Sequence, residues 1–233
     1  MIMQTSSVLS SEGKLKLIIF DCDGVLVDSE TICCQVSAEE ARLAGMEAPE
    51  EKAVEQFSGM ALSLIQKKIE KQTGKNLGHD WISKMQKRFI EAMADHLEPV
   101  DGVYDMLKRV EKLSVPVRVG SNSSALEMDL KFKKLNMTPY FQDRIHSAQD
   151  MGKPKPAPDV YIKAASDEGV KPENCIVLED SDTGARAAVN AGMMCVLLRA
   201  PGLPVPDWPG LKVIHHLSEF SDLIENTINI QKE

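Results

Sequence analysis

The sequence predicts an α/β protein with a parallel-sheet core and an all-helical insertion after its first strand. Three observations favour this fold class. The apolar run within Leu15–Phe20 is typical of a strand buried on both faces. Residues 31–97 show helical spacing and no convincing buried strand. From Pro99 onward, strand-like and helical patterns alternate, which is typical of βαβ units.

Three apolar faces predict the helices of the insertion. They comprise Ile32, Val36, Leu43 and Ala44; Leu62, Ile65 and Ile69; and Trp81, Met85, Phe89, Met93 and Leu97. Core packing explains these faces, including their methionines, so they require no cofactor.

The remaining elements follow from the alternating pattern. In chain order they are a helix with Val103, Met106, Leu107, Val110 and Leu113; the strand Val115–Gly120; a helix from near Ser124; the strands Arg144–Ala148 and Cys175–Leu178; the helix Thr183–Ala191; and the strands Met194–Leu198 and Val213–His215. Gly192 suits a left-handed helix end, and the proline-rich segment Pro201–Pro209 predicts a loop.

This order predicts three regions. Residues 1–13 form a loose N-terminal arm, residues 14–30 and 99–228 form the α/β core, and residues 31–98 form the helical insertion. We expect the insertion to lie above the strand end that carries Asp21 and to act as a lid. A lid of this kind suits a small substrate and the exclusion of water.

Composition excludes several classes of function. A formal charge of −8 argues against a nucleic-acid surface, which would need a basic stripe. No stretch reaches the roughly 18 apolar residues that span a bilayer, and residues 1–14 lack a secretion signal. Five cysteines, an odd number, do not indicate a disulfide framework, so we expect a reducing cytoplasm. The sequence indicates no particular oligomeric state.

Two acids, Asp21 and Asp23, follow the first strand directly and precede Gly24. The carboxyl ends of strands in an open α/β sheet border the usual ligand crevice, so these acids should face a ligand. A calcium loop would place Ile19 at its first ligand position, which must supply an oxygen, and is therefore disfavoured. An ordinary Asp-Gly surface turn remains the alternative for this stretch taken alone.

Three further groups of polar residues follow predicted strands. Gly120-Ser121-Asn122-Ser123 offers a hydroxyl and turn amides to a phosphate, or a plain helix cap. Gly152-Lys153-Pro154-Lys155-Pro156 places two lysines in a stiff loop, where they could also be solvated. Glu179-Asp180 forms a second acidic cluster, which capping by Ser181 or Asp182 does not explain.

Together these groups predict phosphoryl transfer. Oxygen ligands from Asp21, the backbone carbonyl of Asp23, and Asp180 would suit Mg²⁺, which is completed by waters and a substrate phosphate. No zinc-type spacing of cysteine and histidine competes with this set. The expected partner is a small phosphorylated metabolite.

The chain resembles the haloacid dehalogenase superfamily from Leu15 to about Leu223. Asp-Cys-Asp-Gly-Val-Leu-Val-Asp-Ser-Glu is similar to its first motif, Ser121 to its second, Lys153 to its third and Glu179-Asp180 to its fourth. The resemblance implies a Rossmann-like core, a small helical cap and Mg²⁺, with Glu179 counted beside Asp21, Asp23 and Asp180 at the metal.

The resemblance also implies a role for each matching residue. Asp21 would be the nucleophile that forms an aspartyl-phosphate, and Asp23 would be the acid and base. Ser121 and the Asn122 amide would hold the phosphate, and Lys153 would stabilise its charge. The implied activity is that of a phosphatase acting on a sugar or sugar-acid phosphate.

Other activities on related scaffolds remain alternatives. A dehalogenase would not need Asp23 or Asp180. A mutase similar to β-phosphoglucomutase would carry an arginine in its cap loop, where this chain has Gly59-Met60-Ala61-Leu62. Because a bidentate arginine is hard to replace in binding phosphate, the phosphatase is favoured.

Two alternatives are not hydrolytic enzymes. A receiver-type phosphoacceptor domain would place its acidic pair before the acceptor and would lack a helical insertion. An inactive binding protein would not need the full set of motif residues. The charged residues Lys67, Lys68, His79 and Arg88 of the insertion could contact a substrate, although solvated helix or loop side chains explain them better.

Overall fold

The computed structural model describes residues 14–58, 60 and 62–232, without the side chains of residues 94 and 95. The predicted arm, residues 1–13, lies outside the described residues. The strands are β1 Leu17–Phe20, β2 Val27–Asp28, β3 Glu98–Pro99, β4 Val117–Ser121, β5 Ile145–Ser147, β6 Cys175–Glu179, β7 Met194–Leu198 and β8 Leu211–Ile214. The α-helices are α1 Glu30–Ala44, α2 Ala53–Phe57, α3 Leu62–Thr73, α4 Trp81–His96, α5 Val103–Lys112, α6 Ala125–Lys134, α7 Thr138–Phe141, α8 Asp159–Asp167, α9 Asp182–Asn190 and α10 Leu217–Ile230.

Six strands form one parallel sheet in the order β5-β4-β1-β6-β7-β8. The predicted fold class, an α/β protein with a Rossmann-like parallel sheet, is confirmed. The short strands β2 and β3 form a separate two-stranded sheet. No helix in the described residues is both long enough and apolar enough to cross a membrane.

Strand β1 lies at the centre of the sheet, and all four of its residues are buried. Successive side chains of a strand point to opposite faces, so an apolar run of this kind fits a strand that is covered on both sides. Leu17 and Ile19 join a core cluster with residues of α8 and α9. Phe20 makes edge contacts with Phe141 and Phe220, at ring-centroid distances of 6.0 and 5.9 Å.

The sheet order changes direction at β1. After β1 the chain adds β4 and β5 on one side, and it then returns to add β6, β7 and β8 on the other. In open parallel sheets, ligands bind beyond the carboxyl ends of the strands at such a switch point. The acids that follow β1 and end β6 therefore share the position where this fold forms a binding crevice.

Residues 28–98 form a compact unit of their own, and the described residues of 14–27 and 99–232 form the other. The helical unit has a separate core in which small residues of α1 pack with larger ones of α3 and α4, among them Ala38, Ala41, Ile69 and Trp81. Leu43 was predicted on this apolar face, but it is 70% exposed. The alanines of α1 form the buried face instead, because close helix packing favours small side chains there.

Two of the charged residues considered above as possible substrate contacts, Arg88 and Lys68, have partners within the helical unit. Arg88 forms ion pairs with Glu39 and Glu40, and Lys68 Nζ donates to the carbonyl of Gln56 at 2.7 Å. Both side chains thus contribute to the packing of the helical unit. The sequence patterns did not predict α8 and α10, whose buried faces cover the sheet.

Candidate active site

Side chains from three neighbouring strands meet at the carboxyl edge of the sheet. Asp21 follows β1, Ser121 ends β4 and Glu179 ends β6. The backbone N–H of Asp21 donates to the carbonyl of Leu178 at 2.9 Å, which continues the pairing of β1 with β6 beyond the strand end. Asp21, Ser121 and Glu179 are all buried. The sheet alone thus brings these polar groups to one place.

Lys155 lies between the two buried carboxylates. Its Nζ is 2.7 Å from Asp21 Oδ1 and 2.6 Å from Glu179 Oε1, and its side chain is 3% exposed. A buried charge is costly unless it is paired and hydrogen-bonded, so the lysine and the two acids depend on one another. Together they carry a net charge of −1.

The lysine at this position differs from the one that the sequence motif predicted. Lys153 was expected to stabilise phosphate charge, but its side chain is 60% exposed and its Nζ pairs with Asp159 Oδ1 at 2.5 Å. Both lysines occupy the same loop, and motif spacing alone does not show which of them turns inward. The structure therefore places Lys155, and not the predicted Lys153, beside Asp21.

Two neighbours fix the loop that carries Lys155. The backbone N–H of Lys155 donates to Asn122 Oδ1 at 2.9 Å, so the residue after β4 holds the loop by its side chain. Tyr161 of α8 lies beneath the ammonium group, with its ring centroid 4.8 Å from Nζ. The Tyr161 ring packs directly against Gly120, where an added Cβ would lie 3.1 Å from it. A larger residue than Gly120 would displace this ring.

Glu179 accepts hydrogen bonds on both of its oxygens. Lys155 Nζ and Tyr161 OH donate to Oε1 at 2.6 and 2.7 Å. The Asp180 N–H, the Ser181 N–H and the Ser181 hydroxyl donate to Oε2 at 3.0–3.1 Å. A carboxylate offers about four lone-pair sites, so these five donors occupy it. These contacts hold Glu179 against Lys155, and the role of Glu179 as a metal ligand stays a prediction.

The same contacts set the pKa values of the buried acids. Burial and the neighbouring charge of Glu179 raise the pKa of Asp21 to about 7, although Lys155 opposes this effect. Burial also raises the pKa of Glu179, but Lys155 and the other hydrogen-bond donors lower it more, so its net shift is downward. For Lys155, the two carboxylates outweigh burial and raise the pKa. The ion pair therefore consists of Lys155 and ionised Glu179, while Asp21 carries the excess negative charge.

Asp180 lies close to Asp21 and is only partly buried. One oxygen each of Asp21, Glu179 and Asp180 lies within 4.8 Å of the others. Gly24 makes this possible, because a Cβ there would lie 1.9 Å from Asp180 Oδ2 and the backbone has a φ of +79°. The Asp180 carboxylate thus fills the space that a side chain at position 24 would need.

This donor set fits a hard divalent cation. Asp21 and Asp180 supply carboxylate oxygens, which Mg²⁺ prefers, and the buried charges leave an excess of negative charge for a cation to balance. The predicted ligands Asp21 and Asp180 are therefore close enough to share one ion, and Asp23 follows Asp21 by two residues. Glu179 supports the site through Lys155.

Asp23 forms a second polar cluster next to Asp21. Ser123 Oγ donates to Asp23 Oδ2 at 2.7 Å, and Lys131 Nζ lies 2.6 Å from Asp23 Oδ1. Burial lowers the pKa of Lys131, but the charge of Asp23 outweighs it, so the net shift is upward. The Ser123 N–H donates to Ser121 Oγ at 3.1 Å, which connects this cluster to the predicted phosphate-binding serine.

The sequence allowed residues 121–123 to be a plain helix cap, but they do not cap α6. Ser124 caps α6 in a reciprocal capping box with Glu127. Ser181 caps α9, as the sequence suggested, through a 3.0 Å hydrogen bond from Gly184 N. Ser121 and Asn122 are thereby left at the strand end beside Asp21 and Lys155.

Several contacts in this region were not predicted from the sequence. Lys155 was visible as a candidate, since it lies in the same proline-rich loop as Lys153. Tyr161 and Lys131 lie on helices and carry no motif that distinguishes them from core or surface residues. Their contacts arise only when α8 and α6 pack against the sheet.

Comparison with known proteins shows the family to which this chain belongs. The sequence matches a family model described as haloacid dehalogenase-like hydrolase over residues 18–198. The 6-phosphogluconate phosphatase of Escherichia coli is 30% identical over 213 residues, which are 91% of this chain and 95% of that protein.

Two crystal structures have the same fold over nearly the whole chain. A haloacid dehalogenase-like protein of unknown function from Agrobacterium tumefaciens has a TM-score of 0.77 and 32% identity, covering 91% of this chain and 98% of its own. A HAD family hydrolase from Deinococcus radiodurans, with bound phosphate and sodium, has a TM-score of 0.77 and 29% identity, covering 93% of this chain and 98% of its own.

Gly24→Ala should weaken the binding of Mg²⁺ by at least about tenfold, or about 1.4 kcal/mol. The new Cβ would occupy the space of the Asp180 carboxylate and displace it. Isothermal titration calorimetry with MgCl₂ measures the effect. Gly202→Ala is the matched control, because Gly202 also has a positive φ, +84°, but an added Cβ meets nothing within 4 Å. Equal affinities of the two variants would contradict this account.

Asp21→Asn should raise the melting temperature of the cation-free protein at pH 8 by at least about 3 °C, since about 1 kcal/mol corresponds to about 2–4 °C at this size. The raised pKa of Asp21 means that the folded protein binds this proton more tightly than the unfolded one. Its contribution to stability is therefore present below about pH 4 and is lost as the pH rises through about 7.

Asparagine has no such proton to lose, so the advantage of the variant should shrink as the pH falls from 8 to 5. Thermal melts in EDTA at both pH values test this. If Asp21→Asn raised the melting temperature equally at both pH values, burial and Glu179 would not be destabilising the ionised Asp21 carboxylate.

Proposed function

Because this chain belongs to the haloacid dehalogenase-like hydrolases and is a phosphoric monoester hydrolase, we propose that it hydrolyses a small sugar or sugar-acid phosphate through an aspartyl-phosphate on Asp21. The observation that carries the proposal is the contact of buried Lys155 with both Asp21 and Glu179, beside Asp180. Such a site combines a nucleophile, a fixed positive charge and cation ligands within one crevice.

The first step is an in-line attack on phosphorus. Lys155 holds Asp21 Oδ1, and the other oxygen of Asp21 forms the new bond to phosphorus. The bond between phosphorus and the ester oxygen breaks, and Asp23 gives its proton to that departing oxygen. The products of this step are the free alcohol and the aspartyl-phosphate.

The second step regenerates the enzyme. Asp23, now ionised, takes a proton from water, and the resulting hydroxide attacks phosphorus and releases inorganic phosphate. Ser121 and the Asn122 amide hold phosphate oxygens in both steps, and Lys155 balances their charge. Positioning and charge compensation supply most of the catalysis in phosphoryl transfer, and this site provides both.

Asp21 and Asp180, with the backbone carbonyl of Asp23, would hold Mg²⁺. The cation would offset the repulsion between Asp21 and the phosphate dianion. Without it, the excess negative charge of the buried cluster would oppose the approach of the substrate. The helical unit, residues 28–98, is assigned the role of a cap on the basis of its place in the chain, directly after the segment of Asp23.

The substrate class is supported by the name of the Escherichia coli relative, a 6-phosphogluconate phosphatase that aligns over 91% of this chain. A mutase would need a second phosphate clamp in the cap loop. Gly59 and Ala61 of that loop lie outside the described residues, but the sequence contains no arginine between positions 59 and 62. Hydrolysis is therefore favoured over isomerisation.

The five cysteines all lie in the described part of the chain and form no disulfide. Cys22, which stands between the two acids, is fully buried. This state of the cysteines supports the proposal that the enzyme works in the cytoplasm, where thiols stay reduced.

A panel of phosphate esters with Mg²⁺, assayed for released inorganic phosphate and for isomerised ester, tests the proposed activity. We expect release from at least one sugar or sugar-acid phosphate. Asp21→Asn should abolish it, because an amide cannot act as the nucleophile, while circular dichroism remains unchanged. Retention of substantial activity by the folded variant would refute the assignment of Asp21, and isomerisation without release would indicate a mutase.

The two lysines of one loop give a matched test of the corrected assignment. Lys155→Met should lower kcat by at least about 100-fold, as is typical when one charge-stabilising donor is lost. Lys153→Met should stay within about twofold of the wild type, because Lys153 is exposed and contacts Asp159. Steady-state kinetics on the same substrate measure both.

Lys155→Met leaves two buried carboxylates without their partner and should be less stable. Lys155→Arg keeps the charge in a larger group, and it should fold while losing at least about tenfold in kcat. A greater loss in Lys153→Met than in the Lys155 variants would reverse the assignment.

A further inference from the structure

The carboxylate of Asp23 is held on both of its oxygens by residues beyond β4. Ser123 Oγ donates to Oδ2 at 2.7 Å and Lys131 Nζ donates to Oδ1 at 2.6 Å. Lys131 Nζ also lies 3.2 Å from Ser123 Oγ, so the three side chains close a triangle of hydrogen bonds. Two donors on different oxygens restrict rotation of the carboxylate in a way that one donor does not.

Lys131 differs from a solvated helix lysine. Its side chain is 11% exposed, whereas that of Lys133, on the same helix, is 63% exposed and pairs with Asp129. Burying an ammonium group costs free energy that a specific partner must offset. The position of Lys131 therefore depends on Asp23.

The helix that carries Lys131 is firmly anchored. Ser124 and Glu127 cap the N-terminus of α6 reciprocally, and Asp150 Oδ2 accepts a hydrogen bond from Ala125 N at 2.9 Å. Met128 and Phe132 are buried on the inner face of the same helix. Lys131 thus approaches Asp23 from a fixed element, which is what the orientation of a reacting group requires.

We propose that Lys131 and Ser123 are positioning residues that hold the Asp23 carboxyl in the orientation needed for proton transfer at the ester oxygen. The proposal rests on the function proposed above, in which Asp23 protonates the departing oxygen. Ser123 also connects this orientation to phosphate binding, because its N–H donates to Ser121 Oγ at 3.1 Å.

The proposal makes a prediction that depends on the leaving group. General acid catalysis raises the reaction rate about 10²–10⁴-fold when the departing oxygen needs a proton. An alkyl phosphate needs this proton, whereas p-nitrophenyl phosphate releases a stable anion without it. Loss of the orientation of Asp23 should therefore slow the alkyl ester selectively.

We test an alkyl phosphate that the wild type hydrolyses. Lys131→Met should lower kcat/KM for this ester at least about tenfold, because part of the rate enhancement from general acid catalysis is lost. For p-nitrophenyl phosphate, kcat/KM should change by less than about threefold, since it reports only the first step. Lys131→Arg keeps a charged donor and should recover part of the loss on the alkyl ester.

Two variants serve as controls. Ser123→Ala removes one oxygen atom and should show the same selectivity with a smaller loss, which keeps the test valid if Lys131→Met folds poorly. Lys133→Met changes an exposed lysine of the same helix and should leave both substrates unaffected.

The outcomes separate this inference from the proposed function. If the wild type releases phosphate from both esters and Lys131→Met slows them equally, the lysine acts on phosphate binding or folding, and the inference is wrong. Unchanged kinetics in both Lys131→Met and Ser123→Ala would also overturn it. If the wild type hydrolyses neither ester, the proposed function fails, and this inference fails with it.

Discussion

The ion pair of Lys155 with Asp21 and Glu179 is the interaction on which the rest of the site depends. Its three charges come from a loop and from the ends of two adjacent strands, and each is buried. Removing Lys155 or Glu179 would leave a buried charge without its partner, whereas removing the charge of Asp21 would leave Lys155 balanced by Glu179. The sheet order, in which β6 lies next to β1, is what brings the two acids within reach of one lysine.

Close packing and charge are coupled throughout this region. Gly24 makes room for Asp180, Gly184 makes room for Glu179, and Gly120 makes room for the Tyr161 ring. At Gly184, an added Cβ would come within 2.0 Å of the Glu179 carboxyl carbon. These three residues act by having no side chain, because the acidic and aromatic groups occupy the volume that one would fill. Polar groups are therefore placed by the packing of the backbone as much as by attraction between charges.

The sequence predicted the fold well because its signals are local. An apolar run of four residues, glycine-bounded helices and regular alternation identify the strands of the core, and the acids follow those strands directly. The choice between Lys153 and Lys155 could not be made in this way, since it depends on how one loop turns against α8 and Asn122. Lys131 is a similar case, because its contact with Asp23 joins residues that are 108 positions apart. Leu43 shows that the sequence pattern also does not decide which residues of a helix are buried, because alanines of α1 form the buried face and Leu43 is exposed.

The distance along the chain between the members of the ion pair has a consequence for biosynthesis. Lys155 follows Asp21 by 134 residues, and both strands that flank β1 are translated after the helical unit. As the polypeptide leaves the ribosome, the helical unit can form its own core from nearby residues, while β1 still lacks neighbours. Contacts between distant residues form slowly because a long loop must first close. The central strand must therefore wait for most of the chain to be translated, and an incomplete chain that ends before β6 cannot assemble the charged centre.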